Sequence, residues 1–216
     1  MLKDKDIRES LFDYLEIEYG KIRIYEEKMI GKSRADAYMV IDNAIVGIEI
    51  KSDADTYKRL EGQIKDYDKY FDYNMVVVGS SHAMHIEEHV PEHWGIITVD
   101  EVDEKPDFYF LRRPVLNEKA DVSKKLELLW RPELSIIVEK YELPAYKSLS
   151  KPALRKKLME KLEVSQLNES VSEILFERDY DKLLSEINEF RKAKNPRRRG
   201  PKKATSVKRV RRLSKK

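Results

Sequence analysis

Apolar positions recur at helical spacing over residues 4–19, where Ile7, Leu11, Tyr14 and Leu15 form one stripe. On a wheel of about 100° per residue, Asp4 and Arg8 fall inside that stripe and Glu9 points away. Charged groups on a buried face need partners, so one end of this helix is expected to meet a polar site. An Asp4–Arg8 pair at the stripe's rim explains the same two residues.

The period then changes to two. Lys21–Lys28 alternates Ile22 and Ile24 with charged neighbours, and Arg34–Ile41 and Ala44–Lys51 flank Asp42-Asn43, which suits a tight hairpin. A second helix is predicted from about Asp55 to Phe71, with Leu60, Ile64, Tyr67 and Phe71 on one side. Met75–Val78, bounded by Asn74 and Gly79, reads as a short buried strand. Trp94–Val99 and Phe108–Leu111 are two further strands. After Pro114 the pattern is helical from Glu118 to Ala193, punctuated by Pro132, Pro144 and Pro152.

Strands interleaved with helices predict an α/β fold, a mixed central sheet flanked by helices and followed by a small helical module. The expected organisation is a first domain over residues 1–116, a helical module over 117–193 and a tail over 194–216. The tail is poor in apolar residues and broken by Asn-Pro and Gly-Pro, so disorder is expected there.

Charge sharpens this division. The net charge of +3 hides 14 Lys/Arg and no Asp/Glu in residues 191–216, leaving 29 basic and 40 acidic groups, a balance of −11, in residues 1–190. No cysteine is present, which excludes disulfides, thiolate metal sites and a cysteine nucleophile. The charged N-terminus lacks a signal-peptide apolar region, and no apolar run approaches the length of a membrane span, so a cytoplasmic protein without a membrane partner is expected.

The chemistry concentrates on the predicted hairpin. Residues i and i+2 of a strand share a face, so Ile48 and Ile50 point one way, and Glu49 and Lys51 point the other, beside side-chain-free Gly47. Asp36, on the preceding strand, can reach the same face. A half-exposed strand whose Glu49 and Lys51 simply face water is the plain alternative. Phosphodiester hydrolysis builds negative charge on phosphoryl oxygens, which a divalent ion on hard oxygen ligands offsets. Magnesium takes one or two carboxylates plus waters and substrate oxygens. Asp36 and Glu49 would supply the carboxylates and Ile50 a backbone carbonyl, with Lys51 orienting the attacking water and stabilising charge.

Asp36 followed by Glu49-Ile50-Lys51 at the end of an apolar strand resembles the D-x(n)-E-x-K motif of the PD-(D/E)XK nuclease superfamily, with Ala35 where the motif's name has Pro. Gln63-x3-Tyr67 on the next helix resembles the Q-x3-Y element of its RecB-like branch. The wider text, from Glu27 and Arg34 through Gly47, Asp53, Asp55, Arg59 and Leu60 to Trp94-Gly95-Ile96-Ile97, is similar to a family of small bacterial and phage proteins within it, over residues 3–190. The resemblance implies a restriction-endonuclease-like core and a Mg²⁺- or Mn²⁺-dependent deoxyribonuclease acting on DNA, with RNA left open. It implies that Gln63 and Tyr67 contact substrate or order the site; an ordinary core aromatic is the alternative for Tyr67. Glu27 and Asp4 compete for the extra carboxylate that many such nucleases draw from an upstream element. Arg8 and Arg34 would pair with those carboxylates or meet a phosphate. A homodimer is left open. A protein keeping the fold without turnover, and binding nucleic acid only, is the alternative function.

Three further features carry readings of their own. His82, His85 and His89 would share one helix face, which invites zinc, but no HExxH or cysteine supports it, and a solvated or phosphate-facing helix fits better. His82 is expected near the active site. The segment Leu134–Leu162 reads helix, Leu143-Pro144 turn, then a helix from Ser150-Lys151-Pro152, similar to helix-extended-helix nucleic-acid-binding modules; docking or dimerisation explains it equally. In the tail, Arg197, Arg198, Arg199, Lys202, Lys203, Lys208, Arg209, Arg211 and Arg212 would bind phosphate backbones without sequence preference. A solubilising tail, or one meeting another acidic partner, is the alternative.

Overall fold

The computed structural model describes residues 4–51 and 57–179. Within them the order is α1 (Asp4–Tyr19), β1 (Arg23–Ile30), β2 (Ser33–Ile41), β3 (Ala44–Lys51), a single 3₁₀ turn (Tyr57–Arg59) running into α2 (Leu60–Tyr70), β4 (Tyr73–Gly79), α3 (Ser80–Ile86), β5 (Gly95–Val102), β6 (Lys105–Arg112), α4 (Val122–Leu128), α5 (Arg131–Lys140), α6 (Lys151–Lys161) and α7 (Val164–Phe176). The expected tail residues Arg197 to Arg212 lie outside the described residues.

The six strands form one sheet in the order β1-β2-β3-β4-β5-β6. Pairing is antiparallel for β1–β2, β2–β3 and β5–β6 and parallel for β3–β4 and β4–β5. The sheet is mixed because short turns such as Asp42-Asn43 impose antiparallel neighbours, whereas the α2 and α3 crossovers return the chain in the same direction. β3 is buried at every position, as a central strand covered on both faces must be.

Two cores result. On one face Ile7, Leu11 and Leu15 of α1 pack on Ala37, Met39, Val46, Ile48, Ile50, Met75, Val77, Ile97 and Val99. On the other, Tyr38, Val40, Ile45, Val76, Val78 and Ile96 meet Leu60, Tyr67 and Phe71 around α2. The same cluster continues through Leu126, Leu134, Ile137, Leu154, Leu158, Val171 and Leu175, so the helices after residue 117 share the sheet's core. Met1–Arg178 accordingly forms one compact unit. The prolines mark where helices begin: Pro132 and Pro152 sit in the first turns of α5 and α6, where a missing N–H costs nothing.

One irregularity matters for function. Glu27 has φ 54°, a left-handed conformation unusual for a residue with a side chain. It interrupts the regular alternation of β1, so Tyr25 and Ile30, an odd and an even position, both face the helical layer. The register pairs Glu26 with Ala37 and Lys28 with Ala35, which sets Glu27 opposite Asp36. β2 changes parity at the same place: Tyr38 and Ala35 both join the helical-layer core, and β2–β3 pairing stops at Ala37–Ile48. Asp36 therefore stands where the two strands part.

Buried charge also organises the layer. Asp68 on α2 accepts from Trp94 Nε1 at 2.9 Å and Asn74 Nδ2 at 3.2 Å, and its Oδ1 meets His93 Nε2 at 3.0 Å. Asp68→Ala should cost about 2 kcal/mol in chemical denaturation, because the indole and amide donors stay buried without an acceptor. An unchanged denaturation midpoint would show that these donors find other partners.

Candidate active site

β3 carries Glu49 and Lys51 on the α2 face and Ile48 and Ile50 on the α1 face, as strand alternation predicts. Both charged residues are buried, Glu49 at 1% and Lys51 at 5% exposure, so neither faces water. A carboxylate this deep needs satisfied oxygens. Glu49 Oε1 accepts from Lys51 Nζ and from Gln63 Nε2, both at 2.5 Å, and Oε2 accepts from the Tyr67 hydroxyl at 2.7 Å. Lys51 Nζ also donates to Gln63 Oε1 at 3.1 Å, so Gln63 bridges both members of the pair.

Helix α2 sets this geometry. Gln63 and Tyr67 lie one turn apart and point at the same strand. Tyr67 is fully buried, yet its hydroxyl lies 3.1 Å from the Ile48 carbonyl and accepts from the Asp36 amide at 3.3 Å. It is a core aromatic with a polar tip in the site. Burial, then the negative charges of Glu49 and Asp36, push its phenol well above the usual range, so it remains a neutral donor.

Asp36 joins from β2. Its Oδ2 accepts the Ile50 amide at 2.9 Å, in place of the sheet ladder that ends one residue earlier. Burial first, and the charge of Glu49 second, raise its carboxyl to about 6. The Ile50 amide, Lys51 and Arg8 pull the other way and only partly offset this. Arg8 reaches across from α1: it donates to the Asp36 carbonyl at 3.1 Å, and its guanidinium lies 3.7 Å from Asp36 Oδ1. It also meets Glu26 at 3.3 Å and Glu27 at 3.5 Å, while Arg34 pairs with Glu27 at 2.5 Å. The charged residue in the apolar stripe of α1 is thus explained by a network running Arg34–Glu27–Arg8–Asp36.

The structure therefore brings Asp36, Glu49, Lys51, Gln63 and Tyr67 into one hydrogen-bonded set, with Glu27, Arg34 and Arg8 at its border. Asp4 begins α1, but its side chain lies outside what is described. Among the described residues no three His, Asp or Glu side chains gather as a metal-binding group. The histidines are spread over different surroundings: α3 stops at Ile86, His82 Nδ1 meets the Tyr57 hydroxyl at 2.9 Å, His89 packs against the Tyr57 ring at 4.3 Å, and His93 goes to Asp68. Tyr57 went unnoticed in the sequence, where a lone tyrosine before a helix carries no signal. A cavity of about 490 Å³ lies elsewhere, beside Asp42, Asn43, Glu173 and Phe176, and includes none of the site residues.

With this site on an α/β scaffold of mixed sheet and flanking helices, comparison with known proteins supplies the kinship. A family model described as Bacteriophage P4 protein cII matches residues 1–197, and the chain belongs to that family. The curated relative Protein cII of Enterobacteria phage P4 is 21% identical over 177 residues, 79% of this chain. The match spans 66% of that relative, just under two thirds of its length. Among solved structures, SfsA from Pyrococcus furiosus in complex with Ca²⁺ is similar at a TM-score of 0.30 and 15% identity, covering 52% of this chain and 61% of that one. No helix among the described residues is long and apolar enough to cross a membrane.

Proposed function

We propose that this protein is a divalent-metal-dependent deoxyribonuclease of the PD-(D/E)XK kind, acting on DNA in the cytoplasm. The observation that carries this reading is the convergence of Asp36, Glu49 and Lys51 from adjacent strands, tied together by Gln63 and Tyr67, where β2 and β3 separate.

The donor set fits Mg²⁺ or Mn²⁺. Two carboxylates with the Ile50 carbonyl between Glu49 and Lys51 are what a hard ion that retains waters requires, in contrast to an all-protein cage. A carboxylate offers about four acceptor positions, and Glu49 uses three, so about one stays available. Such an ion, when bound, supplies charge stabilisation at phosphoryl oxygens and a water of lowered pKa.

The chain's own residues do the rest. Lys51 Nζ, held between Glu49 and Gln63, presents a cation to a phosphoryl oxygen or to the attacking water. Gln63 fixes the lysine, the Tyr67 hydroxyl fixes the carboxylate of Glu49, and Arg8 braces the β2 backbone at Asp36. The tail arginines and lysines, outside the described residues, offset repulsion between DNA and the acidic body.

A panel of linear, circular, branched and single-stranded DNA and of RNA, with Mg²⁺ or Mn²⁺, tests this reading. Lys51→Ala should cut at least ~100-fold more slowly than wild type with its secondary structure retained. Equal cutting by the two would falsify the assignment. The closed state of Glu49, with both oxygens bonded at 1% exposure, favours a second reading, nucleic-acid binding without turnover. Binding that persists in EDTA, with no cleavage in any metal, would select it.

A further inference from the structure

The sheet has two edge strands, β1 and β6. An edge offers unpaired N–H and C=O groups to any further strand unless something blunts it. β1 is blunted: Arg23, Glu26, Glu27 and Lys28 put charge along it, and Glu27 is left-handed within the strand. β6 is not. Between Asp107 and Arg112 it reads Phe108-Tyr109-Phe110-Leu111, a run without charge. Tyr109 is 68% and Leu111 45% exposed, and Val115 and Leu116 are exposed just beyond. Phe108 and Phe110 alternate with Tyr109 onto the α1 face, where they stay half-buried against Tyr14, with ring centroids 5.4 and 5.8 Å away.

Pro106 fixes which backbone groups point outward. It has no N–H, and within a sheet proline sits with its nitrogen turned away from the neighbouring strand. Pro106 stands opposite Glu101 of β5, so by the strand period Pro106, Phe108 and Phe110 turn their backbone groups to the open edge. Regular pairing ends there, because Leu111 is an extra residue between Phe110, opposite Ile97, and Arg112, opposite Ile96. Charge along the strand is also polarised. Asp103, Glu104 and Asp107 lie at its start with Lys105, and none of these acids forms an ion pair among the described residues. Arg112 and Arg113 lie at its end. Arg112 donates to the carbonyls of Trp94 at 2.7 Å and Pro91 at 2.9 Å, which leaves its charge without a carboxylate.

A strand that is acidic at one end and basic at the other complements its own antiparallel copy, whereas a parallel copy would set acid against acid. We propose that β6 pairs antiparallel with β6 of a second copy of this chain, about a two-fold axis at Tyr109, so that the two sheets join as one. In this register Phe108 of each copy exchanges backbone bonds with Phe110 of the other. The two Tyr109 side chains meet on the axis. The Asp107 end of each strand lies beside the Arg112–Arg113 end of the other, and the half-buried Phe108 and Phe110 gain apolar neighbours across the axis. The edges left over are the blunted β1 strands, so assembly stops at two. None of this depends on the nuclease reading.

The test uses the full chain. Across a concentration series in sedimentation, wild type should reach twice the chain mass of 25.6 kDa. Tyr109→Lys, which sets two ammoniums together at the axis, should weaken self-association at least ~10-fold with its circular dichroism unchanged. The chain has no cysteine, so single-cysteine variants report the register directly. Opposed residues at a non-hydrogen-bonded position lie about 4.5 Å apart at Cα, within disulfide range. In a glutathione redox buffer Tyr109→Cys should therefore form a disulfide-linked dimer at least ~10-fold faster than Met84→Cys, at an equally exposed site on α3. A wild type that stays at one chain mass throughout the series overturns the proposal. So does a dimer that Tyr109→Lys leaves intact, or one that cross-links as fast through Met84→Cys, since either places the contact on another face. Should Tyr109→Lys fail to fold, wild-type sedimentation and the two cysteine variants still decide.

Discussion

Asp36→Asn should raise the melting temperature at neutral pH while abolishing metal-dependent cleavage. The carboxyl titrates near 3.8 in the unfolded chain and at about 6 in the fold, because burial and the charge of Glu49 outweigh the Ile50 amide, Lys51 and Arg8. The folded state therefore holds more protons than the unfolded state between these values. Stability falls as pH rises through that window, and the loss is complete above it. A shift of about two pK units corresponds to at most about 3 kcal/mol, and at ~2–4 °C per kcal/mol for a chain of this size the gain is at most roughly 6–12 °C.

Asparagine keeps an oxygen for the Ile50 amide, so the fold retains that bond. Thermal melts should show the two proteins converging near pH 4 and separating toward pH 7. Mn²⁺ should then narrow the gap by stabilising only the wild type, since ligand binding to the native state raises its stability. Parallel pH profiles would refute the titration argument, and an equal response to Mn²⁺ in the variant would remove Asp36 from the ligand set. Ionised Asp36 is thus costly to the fold, a usual mark of groups kept for binding.

Gly47→Ala should be the most damaging single methyl in the described chain. An added Cβ would stand 2.3 Å from Phe71 Cδ2, 2.6 Å from Tyr67 Cδ1 and 2.7 Å from Asn74 Oδ1. None of these neighbours can give way. Phe71 stacks on Tyr38 with centroids 5.6 Å apart, Tyr67 lies against Trp94 at 5.4 Å, and Asn74 is tied to Asp68. The cost is at least about 3 kcal/mol. Any folded fraction should also cut poorly, because moving Tyr67 pulls its hydroxyl from Glu49. Gly62→Ala is the matched control. It lies in α2 with nothing near its Cβ position and should stabilise by about 0.5–1 kcal/mol. Urea midpoints for the pair decide the matter; similar midpoints would mean that α2 can lift away from β3.

Much of this was legible beforehand because the relevant signals are local. The stripe Ile7, Leu11, Leu15 marks α1, and the alternation with Asp42-Asn43 marks β2 and β3, whose side-chain directions follow from the strand period alone. Gln63 and Tyr67 share a helix side by spacing. The histidines do not keep to one helix face, because the i, i+3, i+4 pattern assumes a helix that continues, whereas α3 ends at Ile86, His82 and His89 both meet Tyr57, and His93 goes to Asp68. The left-handed Glu27 leaves no mark either, since glutamate carries no preference for that conformation.

The sequence by itself determined the elements, the α/β class and the polar face of β3, since each depends on residues a few positions apart. Only the tertiary structure decided that Arg8 reaches Asp36 from the opposite layer and that α4–α7 close over the same core as the sheet. These depend on where a strand changes its twist and on how long side chains satisfy buried charge. That is settled by packing many elements together, and no local pattern encodes it.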